Sequence, residues 1–345
     1  MIVYSSASLH QTSVHFVGNP SNEDPLSLSE SLLEIQDDDQ EQILNYLMRG
    51  FKPEAFFKFT TNGNLVYDSV KELFAEDGDF LSASQVIASH LYDVSTHPKI
   101  LAGDLFVARI REVSLHNEYA DCIVILKAER QDKFAQVEWQ DKHSVSRLSD
   151  GYRLDRIDKA CLIFSLEPGD GYRVLVIDNK TNGTADSQYW VDRFLELEPV
   201  EDSYHNTMET IHLVKDFIRE EMPMSFDVTP ADTAGLLNKS SKFFKEKQQF
   251  SIEEFGEEVL QQPELIDAFR KNHRLSQEGN EHSISESFDI SSAAVKKNGS
   301  AFKSVIALDK NFHLYVHGNR ALMERGYDDE KGMSYYKVYF VNETM

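Results

Sequence analysis

The most informative stretch for predicting the fold lies near the end of the chain. It is Ser304-Val-Ile-Ala-Leu-Asp-Lys-Asn-Phe-His-Leu-Tyr-Val-His-Gly318. Its apolar Phe312, Leu314 and Val316 recur at every second position, which is the period of a half-buried strand. Farther on, the polar segment Asp328-Asp-Glu-Lys-Gly332 ends in glycine and lies between aromatic-rich stretches, so it predicts a hairpin. The tail therefore predicts a small antiparallel sheet that closes the fold.

Upstream of this tail the pattern is helical. Residues 203–222 have a broad apolar face, and we expect this helix to end at Pro223. Thr229 followed by Pro230 is typical of the start of another helix, because Thr caps the free N–H groups and Pro fits the first turn. Two short helices are predicted at 255–260 and 263–274.

The first half of the chain combines helices and strands. Helices are predicted within 37–97, the last of them capped by Asp79, after an initial strand at 8–17. Five strands with short connections then favour an antiparallel meander: 104–113, 121–129, 134–140, 159–166 and 172–178. We predict an α+β fold, in which an antiparallel sheet with helices precedes a C-terminal helical region closed by a small antiparallel sheet.

An acidic segment around Pro199 marks a composition shift, and we place the domain boundary at 199–203. The predicted domains are thus 1–200, an N-terminal α+β domain with helices within 37–97 and antiparallel strands within 103–178, and 201–345, a helical region with a terminal β-hairpin sheet.

Acidity is the strongest compositional feature. The chain has 345 residues, with 58 acidic and 35 basic side chains and a formal net charge of −23. Such a charge repels nucleic acid at long range, so a DNA contact would need a local basic patch or a basic partner protein. We expect a cytoplasmic protein, because no signal peptide and no membrane-length apolar run are found, and Cys122 and Cys161 read as buried thiols.

Two segments are locally basic. On a helix, Lys239, Lys242 and Lys245 would project away from an apolar face, and the second segment, 295–325, contributes Lys296, Lys297, Lys303, Arg320 and Arg325. These side chains are the candidate nucleic-acid-binding residues, although a lysine-rich helix face is often only a solvated surface. Lys296-Lys-Asn-Gly299 is the better candidate, because a basic turn there would present backbone N–H groups as well as charge.

Motifs for enzymatic chemistry are weak. Asp170, Asp178 and Lys180 resemble the two carboxylates and lysine of Mg²⁺-dependent nucleases, but 178–183 is also an ordinary turn sequence. His313 and His317 would lie roughly 13 Å apart on a strand, too far to chelate one ion. No phosphate-loop glycine pattern, serine elbow or zinc motif is present, so we expect no enzyme, no metal site and no cofactor.

The tail and several other segments resemble the bacterial 37-kDa nucleoid-associated protein family. The resembling segments include 304–340, 100–107, 154–163 and 189–195, so the resemblance covers most of the chain and is sharpest after Ser304. The resemblance implies a non-enzymatic bacterial protein of the nucleoid. It supplies no functional-residue motif that could be carried onto particular positions.

Three functions follow from these observations. The first is a nucleoid-associated protein that binds chromosomal DNA through a local basic patch or docks on a nucleoid-bound, DNA-handling protein, with a homo-oligomer possible and no membrane partner. The second is the Mg²⁺-dependent nuclease. The third is an acidic DNA-mimicking protein that occupies the DNA-binding surface of another protein.

Overall fold

The computed structural model describes residues 2–115, 118–141, 143–179, 189–279, 284–303, 305–309, 312–315 and 322–342. The chain divides into two compact units, which we call the N-terminal unit (Met1–Val200) and the C-terminal unit (Glu201–Met345). A large antiparallel sheet with helices, together with several small antiparallel sheets, confirms the predicted α+β class.

The N-terminal unit is built on one antiparallel sheet. The strands of this unit are β1 (Ile2–Val3), β2 (Ser8–Val17), β3 (Leu26–Ser27), β4 (Phe57–Phe59), β5 (Gly103–Leu115), β6 (Glu118–Ala128), β7 (Gln131–Gln140), β8 (His143–Tyr152), β9 (Lys159–Phe164), β10 (Arg173–Asp178) and β11 (Leu197–Pro199). Nine of them form the sheet in the order β11-β4-β10-β9-β6-β5-β2-β3, with β1 also pairing with β5. Strands β7 and β8 pair only with each other among the described residues and form a separate hairpin between β6 and β9.

Both faces of the sheet are covered, which explains the continuous apolar runs of β6 and β9. Helices α2 (Leu65–Phe74) and α3 (Phe80–Val94) and the π-helical segment Tyr189–Leu195 pack on one face. Helix α1 (Gln40–Met48) packs on the other. Because successive side chains of a strand point to opposite faces, Cys161 belongs to the first core and Cys122 to the second, and both thiols are buried and free. Burial raises the pKa of both thiols.

The sequence analysis missed five strands of this unit. β1 and β3 are two residues long and β4 and β11 are three, whereas β8 is rich in serine and has no apolar face of its own. Its extended conformation depends on cross-strand pairing with β7 over ten residues, which no property of 143–152 alone reveals.

The C-terminal unit is mainly helical. Its helices are α4 (Ser203–Asp216), α5 (Met222–Ser225), α6 (Pro230–Glu246), α7 (Ile252–Phe255), α8 (Pro263–Gly279) and α9 (Ser292–Lys297), with π-helical segments at Phe217–Glu221 and Gly256–Leu260. A cluster of phenylalanines forms the core, in which Phe250 stacks on Phe244 with ring centroids 5.8 Å apart. Asn272 also donates a hydrogen bond to Glu221 within this unit.

Pro223 does not end the first helix of this unit, contrary to the sequence-based expectation. The wider turns of Phe217–Glu221 interrupt the α-helical hydrogen bonds before the proline is reached. Pro223 therefore falls in the first turn of α5, where an N–H group would have no partner within that helix in any case.

Before the tail, strand β12 (Gln249–Ser251) pairs with β13 (Ser287–Asp289). The tail itself forms two small sheets instead of one, β14 (Val305–Leu308) with β15 (Phe312–Tyr315) and β16 (Met323–Asp328) with β17 (Met333–Val338). The hairpin turn predicted at 328–332 is confirmed, with Gly332 at φ +62°. Leu314 packs on a small apolar cluster, but Phe312, predicted to share its buried face, is 66% exposed, and Val316 lies outside the described residues.

Candidate nucleic-acid interface

A groove in the C-terminal unit brings together four of the predicted basic residues. It has a volume of about 1250 Å³ and is lined by Lys239, Lys242 and Lys245 of α6 together with Lys303. All four side chains belong to exposed residues. Lys245 and Lys303 are separated by more than fifty residues in the sequence, so only the fold places them along one surface.

Helix α6 presents its lysines because its other face is anchored. The Thr229 hydroxyl accepts a hydrogen bond from the Asp232 N–H at 3.2 Å, and Pro230 occupies the first turn, as the sequence predicts. Leu237, Phe243 and Phe244 are almost fully buried on the opposite face. The helical period then leaves Lys239, Lys242 and Lys245 facing the groove and solvent.

Lys303 is held at the groove by its neighbours. Phe302 beside it is buried, and its ring stacks on Phe244 with centroids 5.7 Å apart. The Arg219 guanidinium donates hydrogen bonds to the backbone carbonyls of Lys303 at 2.8 Å and Ala301 at 3.3 Å. Sequence reasoning missed this role of Arg219, because it acts on backbone atoms more than eighty residues away.

The carboxylates of the groove are partly engaged. Asp232 accepts hydrogen bonds from the N–H and hydroxyl of Thr229 at the start of α6, at 3.0 and 2.7 Å. Glu246 lies 3.9 Å from the Lys242 ammonium, and Lys239 donates to the Gln261 side-chain oxygen at 3.0 Å. Gln261 was also missed, since an uncharged side chain in a helix connection carries no signal in the sequence. The lining of the groove thus holds four ammonium groups against the three carboxylates of Asp227, Asp232 and Glu246.

The basic turn expected at 296–299 is only half observed: Asn298 and Gly299 lie in a turn, whereas Lys296 and Lys297 belong to a helix. Residues Ser292–Lys297 form α9, and the Asn298 N–H donates to the carbonyl of Ala294 at the carbonyl end of this helix. Lys296 and Lys297 are exposed and suit the negative end of the helix dipole. Lys297 also leans over the Tyr204 ring, 5.8 Å from its centroid. Neither lysine lines the groove.

The remaining basic candidates lie elsewhere. Arg325 is exposed on β16, opposite Tyr336 of β17, and it does not line the groove. Arg320 lies outside the described residues. The eight predicted residues therefore do not form a single patch: four share the groove and three of the others are placed elsewhere.

The structure does not bring the nuclease-like residues together. Asp170 lies before β10 and Asp178 at its end, and a six-residue strand spans about 20 Å. Asp170 pairs with Lys58 at 3.0 Å, whereas the buried Asp178 pairs with the buried Lys159 at 2.7 Å. Lys180 lies outside the described residues. The carboxylates at the two ends of the strand cannot share one Mg²⁺ ion.

Neither a metal centre nor a membrane span is found in the ranges that the structure describes. No group of three or more His, Cys, Asp or Glu side chains in them is placed to hold a metal ion. His313 is exposed on β15, and His317 falls outside these ranges. No helix within the ranges is long and apolar enough to cross a membrane.

Comparison with known proteins identifies the family. A family model described as nucleoid-associated protein YejK matches residues 13–332, which include every residue that lines the groove. A search of curated proteins finds no match. The family match spans both units, from the middle of β2 to the turn between β16 and β17. The chain therefore belongs to the YejK family of nucleoid-associated proteins.

Proposed function

We propose that this protein acts at the nucleoid without catalysis and contacts the phosphates of chromosomal DNA through the lysine groove. The observation that carries the proposal is the convergence of Lys239, Lys242, Lys245 and Lys303 on one surface of the C-terminal unit. Ammonium groups bind phosphate oxygens without reading base sequence, which suits a protein that associates with DNA of many sequences.

The distribution of charge supports this choice of surface. The N-terminal unit carries 33 acidic and 18 basic side chains, and the C-terminal unit carries 25 and 17, so the negative charge is concentrated in the first unit. Long-range repulsion of DNA is therefore weaker around the groove than around the large sheet. At near-physiological ionic strength the Debye length is about 8 Å, so local lysines act on a phosphate more strongly than distant carboxylates do.

The test is fluorescence anisotropy with a labelled duplex over a range of salt concentrations. The groove variant is Lys239→Glu, Lys242→Glu and Lys245→Glu together. The matched control reverses three exposed lysines of the same unit that lie outside the groove, Lys271, Lys331 and Lys337, and changes the net charge by the same amount. The groove variant should lose most of its affinity, and the salt dependence should weaken by about 0.9 in log–log slope for each lost phosphate contact.

The control variant distinguishes the loss of a specific DNA-binding site from a general effect of net charge on affinity. If both variants lose affinity equally, binding responds only to overall charge and the groove is not the interface. If the unchanged protein binds no duplex even at low salt, direct DNA contact is wrong.

A second candidate function rests on the acidic N-terminal unit. Its excess of fifteen negative charges is complementary to the basic surface of a DNA-handling protein, on which it would dock or whose DNA site it would occupy as a mimic. Pull-down from a nuclease-treated bacterial lysate with the whole protein tests this function. A partner retained after DNA removal supports docking, and a partner whose DNA binding is inhibited by the protein supports mimicry.

A further inference from the structure

The hairpin of β7 and β8 is exposed on both faces. Every side chain described from Lys133 to Trp139 and from His143 to Asp150 is exposed. Each strand has ten residues and so extends about 33 Å. The base is anchored, since the Tyr152 ring packs edge-on against Phe106 at 6.5 Å. We call the exposed part, from Lys133 to Asp150, the arm.

The arm carries unusually large exposed apolar side chains. Trp139 is 74% exposed and Leu148 is 71% exposed, and Val137 and Val145 are 54% and 52% exposed. An isolated two-stranded hairpin is marginally stable in water, and it gains stability when an apolar face packs against another surface. A covering surface would therefore stabilise the arm.

The two faces of the arm differ in chemistry. Directly paired residues of an antiparallel hairpin share a face, so three pairs form one face: Ala135 with Leu148, Val137 with Ser146, and Trp139 with Ser144. This apolar face carries no charge over those three pairs. The other face includes Glu138 and Arg147. Nucleic acid needs basic groups, so the apolar face fits an uncharged protein surface instead.

The order of large and small side chains makes the apolar face complementary to itself. When two arms pack face to face in opposite directions about a two-fold axis through Val137 and Ser146, the β7 strands lie over each other, as do the β8 strands. Trp139 of one copy then meets Ala135 of the other, and Leu148 meets Ser144. Each contact pairs a large side chain with a small one, and each occurs twice by symmetry.

The charged side chains at the two ends of β7 are arranged with the same two-fold symmetry. Lys133 and Asp141 are each four residues from Val137, on opposite sides along β7 and its turn, and both are exposed. In the antiparallel packing Lys133 of one copy lies over Asp141 of the other. Opposite charges thus meet at both ends of the contact. In a parallel packing β7 of one copy would lie over β8 of the other, and Lys133 would meet Asp150, its cross-strand partner, instead of Asp141.

We propose that the apolar face of the arm is a self-association surface, occupied by the same face of a second copy of this chain. The overlapping part of the arm is about 30 Å long and about 10 Å wide. A contact of roughly 300 Å² per copy is smaller than the roughly 800 Å² of a stable complex, so the association is reversible and depends on concentration. A pair of copies carries two lysine grooves, but the proposal does not depend on what those grooves bind.

The test is sedimentation velocity of the whole protein over a concentration series. Val137→Asp places two like charges against each other on the two-fold axis and should abolish the concentration-dependent increase in sedimentation coefficient. Val145→Asp is the matched control, because Val145 is equally exposed on the same arm but lies on the other face. This control should associate like the unchanged protein.

A charge exchange tests the antiparallel arrangement. Lys133→Asp and Asp141→Lys should each weaken association, because each places like charges in contact. The variant carrying both changes should recover association, which a variant with a damaged arm would not do.

Each outcome decides the proposal. Absence of association up to about 1 mM protomer overturns it. So does a dimer that persists in Val137→Asp, or equal dissociation of Val137→Asp and Val145→Asp, because the contact would then not distinguish the two faces. Loss in Val137→Asp alone, with recovery in the charge exchange, supports it. DNA affinity has no part in this readout, so the proposed function and this proposal can fail separately.

Discussion

The two units of the molecule bury their cores with different secondary structure. The N-terminal unit covers both faces of one nine-stranded sheet with helices, and its excess charge lies on an acidic exterior. The C-terminal unit packs helices around a phenylalanine cluster and places lysines along a groove. The comparison shows that an acidic chain can still have a locally basic surface, because the fold determines which charged side chains lie next to each other.

The units also differ in what they bury. In the N-terminal unit three adjacent strands place Lys127, Lys159 and Asp178 in register, and the side chains of all three are nearly inaccessible to solvent. The buried interior of the C-terminal unit is dominated by aromatic contacts, such as Phe250 with Phe288 at 5.0 Å between ring centroids. A buried ionic row requires every partner to be in place, whereas an aromatic cluster is non-directional and tolerates small shifts.

Core truncation in each unit should have the largest effect and tests whether the units unfold separately. Trp190→Ala removes a fully buried side chain of the N-terminal unit, and Phe250→Ala does the same in the C-terminal unit. Each should lower the free energy of unfolding of its own unit by about 3–5 kcal/mol. Differential scanning calorimetry should show one transition shifted and the other unchanged. If either variant lowers both transitions equally, the two units form one cooperative structure.

The buried ion pair should be nearly as sensitive. Asp178→Ala leaves the Lys159 ammonium without its carboxylate at 2.7 Å and should cost about 3–5 kcal/mol, measured by urea denaturation. Asp170→Ala is the control at the other end of β10, where the pair with Lys58 is exposed and should contribute about 0–1 kcal/mol.

This pair of variants also separates a structural role from the nuclease hypothesis. Neither variant should change DNA integrity in the presence of Mg²⁺. Cleavage of duplex DNA by the unchanged protein, lost in a folded Asp170→Ala variant, would contradict the structural role.

Removing a helix cap should destabilise each unit by a smaller amount. Thr229→Ala removes the cap of α6 and should cost the C-terminal unit about 1 kcal/mol. Asn64→Ala should cost the N-terminal unit about 2–3 kcal/mol, because the Asn64 side chain accepts from the Tyr67 N–H and also donates to the buried Leu195 carbonyl. Chemical denaturation measures both, and equal losses would mean that the second hydrogen bond of Asn64 contributes nothing.

Acidification should have the smallest effect and should act in both units through histidines with a lowered pKa, which are His10 and His15 in the N-terminal unit and His273 in the C-terminal unit. Burial lowers the pKa of His15 and of His273 from 6.5, although Glu286 opposes the shift at His273. His15 is held neutral because its Nδ1 accepts from the Ser29 N–H at 3.1 Å while its Nε2 lies 2.9 Å from the Ser84 hydroxyl.

The sign of the pH dependence follows from these lowered pKa values. As pH falls through 6.5 the unfolded chain takes up the proton first, so stability is lost on acidification toward the lower folded pKa. His15→Gln should reduce the loss of stability between about pH 7 and about pH 5, as followed by thermal unfolding at each pH. An unchanged pH profile in this variant would show that other groups govern acid sensitivity.

Much of the local structure was predictable because its causes are local. The cap residues Asp79 and Thr229, the strand at 8–17 and the hairpin at 328–332 depend on side chains a few positions apart, and all are confirmed. The errors arose where a distant segment decides the outcome. Strand β8 depends on β7, and the helix that places Lys297 beside Tyr204 replaces the first half of an expected turn.

The amino-acid sequence by itself determined the α+β class, the acidity of the chain, the apolar strands that bury both cysteines and the resemblance to the nucleoid-associated family, because periodicity, composition and capping act over short stretches. Only the tertiary structure decided that Lys303 joins the lysines of α6, that Asp170 and Asp178 stand apart, and that the arm is left uncovered. Those outcomes depend on which distant segments pack together, and packing is settled by the whole core at once.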